Sequence, residues 1–159
     1  MCAPTAPLYR ILYAGRATPA SVADMDGVLA DVLAGSLRGN RRLGLTSMLL
    51  AHRGWFIGAL EGLEPAVRAT FERMARDERH LGLTTISEGV VDARMFPDWS
   101  LCVRTVNHAD AAVLGGFDTA DGFDPTATPE RILLRLMAVV GHAHALRFSA
   151  QQRLRVWRV

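Results

Sequence analysis

The sequence predicts an α+β fold: five strands and two helices in the order β-α-β-β-α-β-β, a sheet with both helices on one face, plus a C-terminal helix or helices. Three observations carry this. Five short stretches are β-prone or alternate between apolar and polar residues, and three longer ones repeat their apolar residues every three to four positions. Glycine, proline and asparagine stand where the period changes. The chain has 159 residues, half of them apolar and about a fifth charged, which suits one globular domain with an appended element.

"LYRILYAG" (8–15) is aromatic and β-prone and ends at Gly15, so it reads as a strand. The period then becomes helical. Val22, Met25, Val28, Leu29, Val32, Leu33 and Ser36 share a stripe, with Ser21 and Asp24 as a capping pair and Gly39-Asn40 as the stop. A strand over 42–51 turns at His52-Arg53-Gly54 into a second strand opening at Trp55. There Phe56, Gly58 and Leu60 share one face and Trp55, Ile57 and Ala59 the other. A glycine inside a strand marks a bulge or a close approach by another group. "EPAVRATFERMARDERH" (64–80) is an amphipathic helix with Pro65 in its first turn and Val67, Thr70, Phe71 and Met74 as its buried stripe. Strands are expected over 82–91 and 99–106. Residues 1–7 read as an N-terminal tail and the Asp- and Gly-rich residues 107–127 as a linker or weak helix. Residues 128–146 form an amphipathic helix opened by Thr128 and Pro129, with Ile132, Leu133, Leu136, Met137 and Val140 buried, and 147–159 a basic tail.

Every basic residue other than histidine is arginine, 18 in all, and the net charge of +2 is unevenly spread. Residues 107–127 hold four aspartates and no base, while 128–159 hold six arginines and one glutamate. A basic tail of this kind more often pairs with acidic segments or faces solvent than binds nucleic acid. No apolar run reaches the roughly 18–20 residues that span a bilayer, and "MCAPTAPLYR" lacks the layout of a secretory signal. Cys2 and Cys102 make no disulfide framework, so a reducing, cytoplasmic location is expected.

The chain carries no glycine-rich phosphate loop, nucleophile elbow or zinc-spaced Cys/His cluster, so hydrolase or metalloenzyme chemistry is not supported. His142 and His144 point to different sides of a helix, and Cys102 reads as a small buried residue. The segments "LYRILYAGRA", "NRRLGLTSMLL", "WFIGALEGLEPAVRATFERMARDERH" and "RMFPDWSL" nevertheless combine into LTxML…F…LEG…V…RDxRH…F…W. In order and spacing this resembles the BLUF family, flavin-based blue-light sensors, over about residues 8–106. The resemblance implies a ferredoxin-like core with a flavin, usually FAD, held between the two helices. It also implies C-terminal helices that relay the signal. In the family, light moves an electron from a tyrosine to the flavin and a strand glutamine between them rearranges its hydrogen bonds. The domain is a switch, with no substrate bond made or broken.

By this resemblance Tyr13 matches the photoactive tyrosine, though it also suits a core tyrosine whose hydroxyl finds a backbone partner. Asn40 matches an asparagine at the polar edge of the flavin, and equally fits C-cap chemistry after Gly39. Arg73 and Asp77, with Arg79 and His80, match the charged signature beside the ring. Trp99 matches a mobile tryptophan, and strand alternation places Leu101, where methionine is common, on the same face. Gly58 falls where the family has its glutamine, so the relay from Tyr13 cannot run in the usual form. Gly39 replaces a second polar residue of some members. Ser47 replaces a common strand glycine, where its side chain would crowd the ring or a neighbouring strand.

Three functions follow from these residues. The first is a regulatory or protein-interaction module without the glutamine switch, with or without FAD, using 128–159 to meet a partner or a second copy. The second is a working blue-light receptor in which another group or a water replaces the glutamine. The third, a flavin-dependent redox enzyme, has no acid, base or nucleophile constellation behind it. If the pocket is otherwise intact, Gly58→Gln restores some photochemistry.

Overall fold

A computed structural model describes residues 5–156, with the side chains of 144 and 146–156 excepted. The first residues of the N-terminal tail, Cys2, the His144 side chain and the last residues of the basic tail lie outside the described residues. Strand β1 (Leu8–Ala17) leads through a short helix α1 (Pro19–Ala23) into helix α2 (Met25–Arg42). The hairpin β2 (Thr46–His52) and β3 (Trp55–Leu63) is followed by helix α3 (Glu64–Met74), strand β4 (His80–Val91) and strand β5 (Cys102–Thr105). The sheet order is β4-β1-β3-β2-β5, with β2 and β5 parallel and the other neighbours antiparallel. This is the expected α+β, ferredoxin-like arrangement.

Strand alternation sorts the core into two layers. Tyr9, Ile11 and Tyr13 of β1, Leu49 and Ala51 of β2, and Phe56 and Leu60 of β3 pack with Leu29 of α2 and Val67 of α3. Their sequence neighbours Leu12, Met48, Leu50, Ile57 and Ala59 point to the opposite face. There they meet helix α5 (Glu130–Val156), whose Leu133, Leu136, Met137 and Val140 are buried on the sheet. Burying each such side chain stabilises the fold by about 1.5–3 kcal/mol. The C-terminal helix therefore covers this chain's own sheet and turns two layers into three.

Residues 107–127 contain helix α4 (His108–Ala111), a 3-10 segment Ala112–Phe117, the small hairpin β6 (Asp118–Thr119) and β7 (Gly122–Phe123), and a 3-10 turn at Pro125–Ala127. Leu114 and Phe123 are buried in the α5 layer. His52 Nε2 lies 2.7 Å from Asp118, and the Trp55 indole donates to the Phe123 carbonyl at 3.0 Å, so the segment is fastened to the β2–β3 turn.

Several element boundaries differ from the sequence expectation. The first helix breaks at Asp24 (φ −137°, ψ 56°), where Thr18 accepts from Ser21 N and Asp24 accepts from Gly27 N. Thr18 and Asp24, rather than Ser21 and Asp24, are thus the caps, and the Ser21 hydroxyl donates to the Arg79 carbonyl. Helix α2 runs past Gly39-Asn40 to Arg42 and is stopped by Gly44, whose φ of +66° glycine adopts at little cost. Asn40 therefore sits inside the last helical turn and is not a C-cap. Helix α3 ends at Met74, since the N–H groups of Ala75, Arg76 and Asp77 close onto Phe71, Arg73 and Met74 carbonyls. Strand β5 begins only at Cys102, leaving 94–101 as a loop.

Candidate functional site

Between α2, α3 and the sheet lies a cavity of about 310 Å³, at the lower end of the range for ligand sites. Its walls include Leu49, Phe56, Leu60, Val32 and Leu101, and Tyr13, Asn40, Ser47, Thr70, Arg73 and Asp77 contribute polar groups. The site arises where β1, β2 and β3 turn alternate apolar positions toward α2 and α3. The described residues contain no group of three or more His, Cys, Asp or Glu that could hold a metal.

Tyr13 stands directly opposite Gly58 in the β1–β3 register. Its ring lies over the glycine: a Cβ at position 58 would fall 2.2 Å from both Tyr13 Cζ and Tyr13 OH. The strand glycine thus does mark a close approach, and the approaching group is the tyrosine. Phe71 meets the ring edge-on at 5.6 Å. Burial holds the Tyr13 hydroxyl well above the ordinary phenol pKa, so it stays protonated. Gly58→Gln consequently requires the tyrosine to move, a condition the sequence alone does not reveal.

Asn40 is buried, and its Nδ2 donates to the Ser100 carbonyl at 3.0 Å and to Ser47 Oγ at 3.2 Å. Its Oδ1 has no partner among the described residues. Ser47 Oγ also donates to the Ser100 carbonyl at 3.0 Å, so the added side chain joins α2, β2 and the loop before β5 by hydrogen bonds. Thr70 Oγ1, buried beside the cavity, has no partner among the described residues.

Arg73 and Asp77 both line the cavity, as do Arg79 and His80. Arg73 has no ion-pair or hydrogen-bond partner for its guanidinium among the described residues. Asp77 is paired instead with Arg79, which donates from its backbone N at 2.9 Å and from Nε at 2.8 Å. The Arg79 side-chain hydrogen bond is the main cause that holds the Asp77 carboxyl below the usual aspartate range, against some desolvation. His80 Nε2 lies 2.9 Å from the Met74 carbonyl and Nδ1 accepts from Gly82 N at 3.0 Å. The Met74 carbonyl can only accept, so Nε2 carries the hydrogen of that bond, and the ring ties β4 to the end of α3.

Trp99 departs from expectation. Leu101 lines the cavity and packs in the helix-side layer, but Trp99 packs in the α5 layer. A Cβ on Gly141 of α5 would meet the Trp99 ring at 3.0 Å. The alternation rule places 99 and 101 on one face only within a strand, and here both precede β5. Ser47 and Thr70 were not singled out as binding residues by sequence. Ser47 was visible as a substitution, whereas Thr70 looked like any residue of a buried stripe.

A cavity with apolar walls, one buried amide offering a free acceptor and a charged rim fits a flat heteroaromatic ring with a polar edge. The comparisons with known proteins agree. The family model "BLUF: Sensors of blue-light using FAD" matches residues 8–102. The Euglena gracilis photoactivated adenylate cyclase subunit beta is 30% identical over 100 residues, 62% of this chain, which spans only 11% of that protein. The solved structure of BlsA in its photo-activated state superposes with a TM-score of 0.72 at 22% identity, covering 81% of this chain and 91% of BlsA. BlrB in its dark state gives 0.65 at 23%, covering 85% and 98%. At these identities the two structures establish the fold, and the family match establishes the rest: this chain belongs to the BLUF family, the sensors of blue light using FAD.

Proposed function

We propose that this chain is a BLUF domain that holds a flavin, FAD by the family's habit, but does not run the usual blue-light switch, and that it acts through protein contacts. The observation that carries this reading is the Tyr13–Gly58 pair. Position 58 has no side chain to rearrange, and the tyrosine ring fills the volume where one would begin, with 2.2 Å separating its Cζ from any added Cβ.

Flavin binding requires less. Asn40 Oδ1 would offer an acceptor to a ring N–H, and Arg73 and Asp77, which line the same cavity, would be available to the polar groups of the molecule. Leu49, Phe56, Leu60 and Leu101 would supply apolar contact to its faces. A bound flavin supplies absorption in the blue. Losing one hydrogen bond to an absent glutamine costs about 1 kcal/mol, too little to release a large aromatic ligand with these other contacts. Trp99 has no direct part in this binding set.

The output surface is assigned to 128–159, through a partner protein or a second copy of this chain. Helix α5 buries Leu133, Leu136, Met137 and Val140 on the sheet, while Arg131, Arg135 and Val139 are exposed on its other side. No helix among the described residues is long and apolar enough to cross a membrane. A second reading, a working receptor in which another group stands in for the glutamine, is favoured by Tyr13 remaining at the cavity wall.

Titration of the purified full chain with FAD, followed by fluorescence quenching, tests the binding half. Saturable uptake that Asn40→Ala weakens by about tenfold supports the reading. A chain that takes up neither FAD nor riboflavin contradicts it.

A further inference from the structure

We propose that Ser47 is a positioning residue for the cavity. Together with the Ser100 carbonyl, its hydroxyl holds the Asn40 amide with Oδ1 as the free acceptor, so that the site selects ligands presenting an N–H there. The proposal rests on the flavin reading above and deepens it by naming what sets the ligand chemistry.

The argument is one of hydrogen-bond polarity. The Ser100 carbonyl can only accept, and it faces both Asn40 Nδ2 at 3.0 Å and Ser47 Oγ at 3.0 Å. A hydroxyl carries one hydrogen. With that hydrogen given to Ser100, Ser47 Oγ turns a lone pair toward Asn40 at 3.2 Å. The amide therefore meets two acceptors, and only its NH2 end suits both. A flipped amide would place Oδ1 against an oxygen lone pair and a carbonyl in a buried setting, where unpaired acceptors are costly. Asn40 and Ser47 are both almost fully buried, at 3% and 2% exposure, so bulk water cannot replace the missing partner. Oδ1 is thus the amide group left for the cavity that Asn40 lines. Ser47 is held in turn from both ends, since its backbone N donates to the Trp99 carbonyl at 3.1 Å.

A site built this way prefers a ring N–H flanked by carbonyls, as in an isoalloxazine, to the same ring with that nitrogen methylated. Equilibrium binding of riboflavin and N3-methylriboflavin to the full chain, wild type and Ser47→Ala, tests this. The expected wild-type preference for riboflavin is about tenfold, the worth of one well-made hydrogen bond in a buried site, and it falls below about threefold in Ser47→Ala. General loosening of the fold weakens both ligands together and leaves the ratio unchanged. Ser47→Cys, close in size but a weak hydrogen-bonding group, serves if the alanine variant does not fold, and is expected to behave like it. NMR of the ligand-free protein gives a second readout: Ser47→Ala is expected to shift an Asn40 side-chain NH2 proton toward its free value.

An unchanged riboflavin preference in both variants overturns the role of Ser47 while leaving flavin binding intact. A wild-type chain that binds neither flavin overturns the flavin reading and the selectivity with it. Unmoved Asn40 amide signals in Ser47→Ala overturn the clamp whether or not flavin binds.

Discussion

At the scale of single residues, the structure turns a missing side chain into a contact. Gly58 packs nothing of its own, and Tyr13 uses the space. Position 58 and the Tyr13 ring are alternatives for one volume, which predicts coupled energetics. Gly58→Ala is expected to destabilise the fold by about 1–3 kcal/mol, the usual cost of overpacking. In a Tyr13→Ala background the same change costs less than about 1 kcal/mol, as chemical denaturation of the double-mutant cycle will read. Asp77 supplies a pH-dependent prediction. Its folded pKa is depressed by Arg79, so its contribution is full above the unfolded aspartate range and is lost as pH falls through the lower folded value. The difference in Tm between wild type and Asp77→Asn is expected to narrow as pH drops below about 4. The mid-strand glycine was legible in the sequence as a close approach. Which group approaches was not, because Tyr13 lies 45 positions away and only strand register brings the two together.

At the scale of elements, the loop between β4 and β5 is held by a buried carboxylate. Glu61 of β3 is fully buried and accepts from Arg10 Nε at 3.0 Å, Met95 N at 2.8 Å, Phe96 N at 3.2 Å and Thr46 Oγ1 at 3.2 Å. Arg94 adds bonds to the Glu61 and Gly44 carbonyls. One side chain thereby fixes the start of the loop that delivers Trp99 to α5 and Leu101 to the cavity. Glu61→Ala leaves Arg10 and the backbone N–H groups of Met95 and Phe96 without their acceptor and is expected to cost about 3–5 kcal/mol in urea unfolding. The strands and helices themselves were legible from period, with most ends off by a few residues, although α3 stops six residues before the expected end and α5 runs ten residues past its own into the stretch read as a basic tail. Turn closure after Met74 and the break at Asp24 were not, because both depend on local hydrogen bonds that apolar spacing does not encode. Trp99, which the resemblance places at the site, packs in the α5 layer here, and Leu101 does not share its face because alternation holds only within a strand and both residues precede β5.

At the scale of the whole molecule, the sheet separates a cavity on one face from α5 on the other. The loop 94–101 touches both. Ser100 receives hydrogen bonds from Asn40 and Ser47 at the cavity, and Trp99 packs at Gly141. Composition and pattern sufficed for the α+β class. The family resemblance pointed to Tyr13, Asn40, Arg73 and Asp77 of the cavity but not to Thr70. Neither decided whether the last helix meets this sheet or another chain. Burial of Leu136 and Met137 on β2 and its neighbours answers that for the part of α5 up to Val140. Flavin binding and light switching are thus proposed to be separable in this chain, the first kept and the second absent because position 58 has no side chain. The light-minus-dark visible difference spectrum of the FAD-loaded full chain under blue illumination distinguishes them most directly. A flavin band whose maximum stays in place is expected, and a reversible red shift of that band would overturn the proposal.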